Sequence, residues 1–333
     1  MNKINLKQVI LIACGIILGS LFCFFYVDFK NDSYSATTFV STGDKDKDVT
    51  YWQAIIEKEG GFQAYKLFGE MYSGYDYNEQ HDFVHRFGEA LYKTEGVPGV
   101  AVCDSNYGFG CYHSFFGWAL IDNGLDILTE LDKSCIETYG EKGLGCQHGI
   151  GHGVLAEIGS DNLNDALEAC TVLNWKGPIG GCTSGVFMEY NFTTMVGGGT
   201  RDPEKSEAHY PCTALDKKFQ LSCYFEQPAW WIAHTQHDYM YTGSKCAAIE
   251  TKLNREACYK GVGNTVAGSA GYSIKGIQKA CSKMPNAEGE ILCIEGAAWI
   301  TSAQPEFDDV WMDLCTPFTG VYYQRCVDSR DFI

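Results

Sequence analysis

Five of the eight histidines stand at spacings suited to metal ligation. His81 and His85 are four residues apart in HDFVHRFGEALY, and His148 and His152 are four apart in HGIGHGVLAEIG. On a helix, residues at that spacing share a face, so each pair could grip one ion. Laying the first string over the second without a gap sets His81 on His148 and His85 on His152. His113 follows Cys111 by two positions, as His148 follows Cys146, and so occupies the same column. Three helices would then present His81 and His85, His113, and His148 and His152 on one side, converging on a single shared ion. Imidazoles gathered without thiolates suit zinc, copper or iron ions, or haem. Asp82, Glu89, Glu157 and Glu189 are candidate further ligands or ring-orienting partners. Two other readings use the same residues: neutral histidines lining a polar, tyrosine-rich groove, and a protonation switch at an interface. His234 and His237 in HTQH form a weaker pair, and His209 sits in a loop with nothing to mark it.

The frame behind this column is a cysteine repeat. Fourteen of the sixteen cysteines form seven pairs: Cys103 with Cys111, Cys135 with Cys146, Cys170 with Cys182, Cys212 with Cys223, Cys246 with Cys258, Cys281 with Cys293, and Cys315 with Cys326. They recur about every 35 residues, a period that marks a repeat array. In the later units the histidine column reads Ser184, Phe225, Lys260, Glu295 and Asp328. A packing requirement of the repeat would recur throughout it, so a cluster confined to one end points to a local function.

Each unit reads as a helix pair. CQHGIGHGVLAEIG is an apolar first helix opening at Cys146, Ser160-Asp161-Asn162 supplies capping residues, and LNDALEAC is an amphipathic second helix. The same grammar recurs in SCYFEQPAWWIA at Cys223, ACYKGVGNTVAG at Cys258 and LCIEGAAWITSA at Cys293. Such a pair buries its face only against its neighbours. A unit without cysteines, opening on HDFVHRFGEALY, precedes the others. No sustained apolar/polar alternation occurs, which leaves an all-α chain. The expected body is a right-handed α-solenoid of about seven to eight helix-hairpin repeats stapled by disulfides. Parity favours pairing within each short loop. Joining the second cysteine of one unit to the first of the next would strand Cys103 and Cys326 at opposite ends. The stretch Phe192–Tyr210, with Gly197-Gly198-Gly199, lengthens one period and reads as an added loop.

The phrase ALEAC…GCTSGVFMEY resembles the Sel-type repeat, a relative of the tetratricopeptide repeat, and most of all the cysteine-rich secreted bacterial kind. Those arrays share the order Ala-Cys, short loop, Gly-Cys, small residue, aromatic. The likeness covers roughly residues 60–330. The loops between paired cysteines are mostly longer here, and the Gly-x-Gly-Val turn between helices is missing. The resemblance implies an extracytoplasmic binding or assembly module whose first helices line a concave groove.

The N-terminus carries its own instruction. Residues 1–8 read as a cytoplasmic stub and Val9 to Val27 as an uncharged apolar run, long enough to span a bilayer core of about 30 Å. Lys3 and Lys7 precede the run and Asp28 follows it, which keeps the N-terminus inside. The bulky end Phe-Cys-Phe-Phe-Tyr offers no signal-peptide cleavage site, and the apolar run continues past the acylation-like Leu11-Ile12-Ala13-Cys14. Residues 28–49 read as a solvated linker, and 50–333 as the repeat body, periplasmic or extracellular. An oxidising exterior agrees with regularly paired cysteines. A net charge of −17 argues against nucleic acid as a partner.

No nucleophile elbow, HExxH helix or phosphate loop occurs; GVGNTVAGSAG follows no strand pattern. Asn31 and Asn191 head sequons that matter only in a eukaryotic host. The chain therefore reads as a membrane-anchored repeat protein that takes a protein, peptide or small ligand in its groove and holds a histidine-bound metal. A metal-dependent oxidative or hydrolytic enzyme, and a purely structural surface protein, are the alternatives.

Overall fold

In the second cysteine of each pair, chain and staple meet: it lies within the first two turns of a helix, and its partner belongs to the short helix or turn before it. The computed structural model describes residues 44–140, 143–174, 179–192, 209–304, 307 and 311–329. Among them all seven pairs are bonded within their own loops, across sequence separations of 8 to 12. Cys103 joins Cys111, Cys135 joins Cys146, Cys170 joins Cys182 and Cys212 joins Cys223. Cys246 joins Cys258, Cys281 joins Cys293 and Cys315 joins Cys326. Their Cα atoms lie 5.5–5.7 Å apart, inside the window a disulfide spans without backbone movement. In the chain-entropy account each such loop contributes about 2–3 kcal/mol.

The described residues are helical and contain no strand. We number the helices α1 (Lys45–Glu59), α2 (Gly61–Tyr72), α3 (Tyr77–Glu95), α4 (Gly110–Asn123), α5 (Leu128–Tyr139), α6 (Leu144–Ile158) and α7 (Leu163–Ala169). Then come α8 (Cys182–Phe192), α9 (Lys217–His234), α10 (Tyr239–Ala247), α11 (Lys252–Ser269), α12 (Ile274–Cys281), α13 (Ala287–Ser302) and α14 (Val321–Asp328). The long helices α3, α4, α6, α8, α9, α11 and α13 pack one on the next in chain order, and α1 packs on α3. The shorter α5, α7, α10, α12 and α14 pack beside this row.

Local chemistry sets the helix ends. Asp76 caps α3 in a reciprocal box: its Oδ1 accepts from the Glu79 amide at 3.0 Å, and Glu79 Oε2 accepts from the Asp76 amide at 3.1 Å. Three later helices do not open at their cysteines, contrary to the sequence reading. α9, α11 and α13 begin at Lys217, Lys252 and Ala287, more than a turn ahead of Cys223, Cys258 and Cys293. Caps rather than staples fix two of these starts. Asp216 Oδ1 accepts from the Lys218 amide at 3.3 Å, and Asn286 Oδ1 accepts from the Gly289 amide at 2.8 Å. Ser160-Asp161-Asn162 also behaves otherwise than expected. It forms a 3-10 turn after Gly159, whose φ of 89° ends α6, and no side chain caps α7. Asn162 Nδ2 instead donates back to the Ile158 carbonyl.

The row is drawn tight by glycine. On α6, a Cβ at Gly151 would strike the Cys182 carbonyl of α8, while one at Gly149 or Gly153 would strike Tyr112, Phe116 or Leu120 of α4. A Cβ at Gly185 of α8 would in turn strike the His148 carbonyl. Backbones therefore meet with no side chain between them. The same contact recurs between α11 and α13, at Gly263 against the Cys293 carbonyl and at Gly296 against that of Lys260. Helices α4 and α6 are apolar around most of their circumference and buried on most sides.

The row curls until its ends meet. The Tyr77 hydroxyl at the start of α3 lies 3.4 Å from the Tyr272 hydroxyl and 3.4 Å from Gln304 Oε1, beyond α11 and α13. Ile179, Phe225, Ala257 and Trp299 form a second, smaller apolar cluster. Beside it lies a cavity of about 910 Å³.

Helix α1 begins at Lys45 and buries Asp48 and Val49, so the last residues of the stretch read as linker (28–49) belong to the folded body. The apolar run 9–27 and the greater part of the added loop, 193–208, lie outside the described residues. Among the described residues no helix is long and apolar enough to cross a membrane.

Candidate metal centre

The five histidines of the column converge. His81 and His85 come from α3, His113 from α4, and His148 and His152 from α6. Ring centroids are 4.6 Å apart for His81 and His85, 5.5 Å for His81 and His113, and 5.6 Å for His85 and His113. On the other side they are 4.3 Å for His113 and His152, 6.0 Å for His113 and His148, and 5.0 Å for His148 and His152. Ordinary stacked helices stand about 8–10 Å apart at their axes. Glycines on these helices, Gly88 on α3 and Gly149, Gly151 and Gly153 on α6, admit the neighbouring helix closely and let short imidazoles reach across.

The cluster resolves into two triplets: His81, His85 and His113, and His113, His148 and His152. Within each, one nitrogen from every ring lies within 4.8 Å of the others. His113 belongs to both. His152 Nε2 faces His148 Nε2 at 3.2 Å, close to the roughly 3.3 Å edge between two ligands of a tetrahedral ion with bonds near 2 Å.

Outer partners orient the rings. His152 Nδ1 donates to Glu189 Oε2 of α8 at 2.9 Å, both groups being buried, which turns the Nε2 lone pair inward. His81 Nδ1 donates to the Tyr107 carbonyl at 2.7 Å, with the same effect. That carbonyl is presented by a run of left-handed residues, Tyr107, Gly108 and Phe109, with φ of 55°, 62° and 63°. Left-handed backbone at two aromatic residues is strained and is typical of functional sites. A Cβ at Gly108 or Gly110 would press on the His81 ring, so the turn seats the histidine directly. His148 is hydrogen-bonded to the Gly180 backbone. His85 Nε2 is buried and has no hydrogen-bond partner among the described residues.

Burial favours the neutral form of four of these rings. It pushes His81 down, His85 and His113 well down, and His148 to about 3, with the neighbouring imidazoles adding to the effect for His85, His113 and His148. Neutral imidazole is the form that binds metal.

Of the four carboxylates expected near the cluster, one arrives. Glu189 orients His152, as above. Asp82 and Glu157 are exposed, and Glu89 is committed to Lys45 at 3.2 Å and Lys93 at 2.7 Å. The reason is helical phase: Asp82 follows His81 by one residue and so points off the shared face. His234 and His237 lie outside both triplets; His234 Nδ1 donates to the Trp230 carbonyl of its own helix. His209 packs its ring on Trp231 and Tyr224.

One functional candidate escaped the sequence. Glu226 of α9 lines the cavity together with His113, His148, Asn264 and Trp299. It is buried and hydrogen-bonds Ser184, the residue that replaces histidine in the next unit's column. Burial pushes its carboxyl up to about 8, and Ser184 pulls it partly back. The signal was present in SCYFEQPAWWIA: a carboxylate one residue past the column, in a segment rich in aromatic residues. Farther along, Lys260 and Glu295 pair at 3.6 Å, with Arg325 on Glu295 at 3.0 Å.

No family model, no curated protein and no solved structure matches the chain.

Proposed function

We propose that this protein is a membrane-anchored, extracytoplasmic member of the Sel-like helical repeat class that binds transition metal through its histidine centre and takes a small ligand beside it. Residues 9–27 are its anchor, and the body is a right-handed solenoid of seven to eight units. The observation that carries the reading is the pair of histidine triplets, with rings aimed inward by Glu189 and by the Tyr107 carbonyl. Zinc, copper and iron all suit three imidazoles, and the thiols are spent on disulfides. Haem suits the site less well, because rings with centroids 4.3–6.0 Å apart leave no room for a macrocycle between them. A cavity of about 910 Å³ favours a small molecule over a folded partner.

A metal-dependent enzyme is the second reading, favoured by one observation: His113 and His148 line both the metal centre and the cavity, with Glu226 on the same wall. Three protein ligands leave an ion an open position, and a protonated carboxyl beside it is a proton donor in place. Elemental analysis of the full chain, purified in detergent without chelators, tests both. Stoichiometric zinc, copper or iron is expected, and a redox metal favours the oxidative enzyme. Metal-free protein that binds none on titration overturns the proposal.

A further inference from the structure

The triplets divide in a way that one ion does not account for. Each consists of an i, i+4 pair from one helix, α3 or α6, completed by His113 from α4 between them. Each pair has its own orienting acceptor: the Tyr107 carbonyl for His81 and the Glu189 carboxylate for His152. The acceptors come from different segments, one in the turn before α4 and the other on α8. His85 Nε2 is buried in the first triplet without a partner among the described residues, an orphan that the pair His148 and His152 leaves untouched. A lone ion in the second triplet would leave that atom unsatisfied, and buried polar atoms ordinarily find a partner.

We propose that the centre holds two transition-metal ions, one in each triplet, with His113 as the ligand they share. This rests on the reading of the cluster as a metal centre. An imidazole has two ring nitrogens and can serve two ions, one through each, once its remaining N–H proton passes to solvent. The imidazolate then formed carries a negative charge between the cations, where it offsets their repulsion. Glu189 supplies a second negative charge on the α6 side. The two ions would stand about 6 Å apart, two bonds of about 2 Å plus the width of the ring. Three imidazoles at each ion are a ligand set of the borderline divalent metals, zinc and copper.

The test is a titration of the full chain in detergent with zinc, and separately with cupric ion, followed by dialysis and metal counting. Two equivalents are expected in the wild type. His81→Ala and His148→Ala should each retain one, and His113→Ala should weaken retention of both. Cupric protein read by electron paramagnetic resonance needs no variant: two ions joined through an imidazolate couple magnetically, so the ordinary single-copper signal should fall well below that expected from the copper content. Far-UV circular dichroism checks that each variant keeps its helices, with His85→Ala substituting for His81→Ala if the latter does not fold. One equivalent in the wild type, or two with an undiminished copper signal, overturns the shared-ligand centre while leaving a metal site in place. No retained metal in the wild type overturns the metal reading itself.

Discussion

Glu226 and the histidines respond to pH in opposite directions, and the difference can be measured at a single residue. The folded state holds the Glu226 carboxyl at about 8, against an unfolded value near 4.3. Because the folded value is the higher one, the stability it contributes is complete below about pH 4.3 and is lost as pH rises through about 8. Glu226→Gln keeps the shape and the neutral state. It should leave the melting midpoint unchanged at pH 4 and raise it by several degrees at pH 8, reflecting a few kcal/mol of linkage. Equal midpoints at pH 8 would show that the carboxyl ionises at no cost. The histidines run the other way. The folded values of His81, His85, His113 and His148 lie below the unfolded one near 6.5, so metal-free protein should lose stability as pH falls below that point. Bound metal, which holds the rings neutral, should move the acid unfolding midpoint to lower pH.

At the scale of the helix, the decisive residues are glycines that carry no chemistry. Gly151 admits the Cys182 backbone of α8 against α6, one residue before His152. Gly151→Ala should destabilise by about 2 kcal/mol or more, since backbone must give way, and should weaken zinc binding as α6 and α8 part. Gly268, near the end of α11, has open space where its Cβ would be. There alanine should stabilise by about 0.5–1 kcal/mol through the unfolded chain. Equal effects at the two sites in thermal unfolding would refute the close-packing account. The staples are local in the same sense, because repeats interact with their neighbours. Removing the disulfide of Cys103 and Cys111 by double serine substitution loosens the turn that carries Tyr107 and should weaken metal binding severalfold. Removing that of Cys315 and Cys326 should lower stability with metal affinity kept, as a competition titration would report.

For the whole molecule, curling decides what the site can bind. The contact of Tyr77 with Tyr272 and Gln304 turns a row of helices into the wall of a chamber, so His113 and His148 face Asn264 and Trp299 across a cavity. The sequence reading of an open concave groove gave no hint of this, because curvature sums small angles set by every helix pair. The proposed membrane topology belongs to this scale too. With Lys3 and Lys7 before the apolar run, protease added to intact cells should remove the body, and full protection would sink the proposed topology.

The strings HDFVHRFGEALY, GCYHSFFGWAL and HGIGHGVLAEIG already contained the helix class and the column of five histidines, and cysteine parity contained the pairing of all fourteen. Period, parity and the i, i+4 rule are properties of the chain alone, and each needs only one repeat and its neighbour. What they left open is distance. Glycine-rich helices promise close packing, but only the structure shows which backbones meet, with ring separations of 4.3–6.0 Å. The choice of Glu189 over Asp82, Glu89 and Glu157, the left-handed turn that offers the Tyr107 carbonyl, and the arrival of Glu226 beside His148 depend on contacts between units. Only the tertiary structure decides those, because they follow from how far one helix is rotated and translated against the next, a quantity that no local pattern encodes.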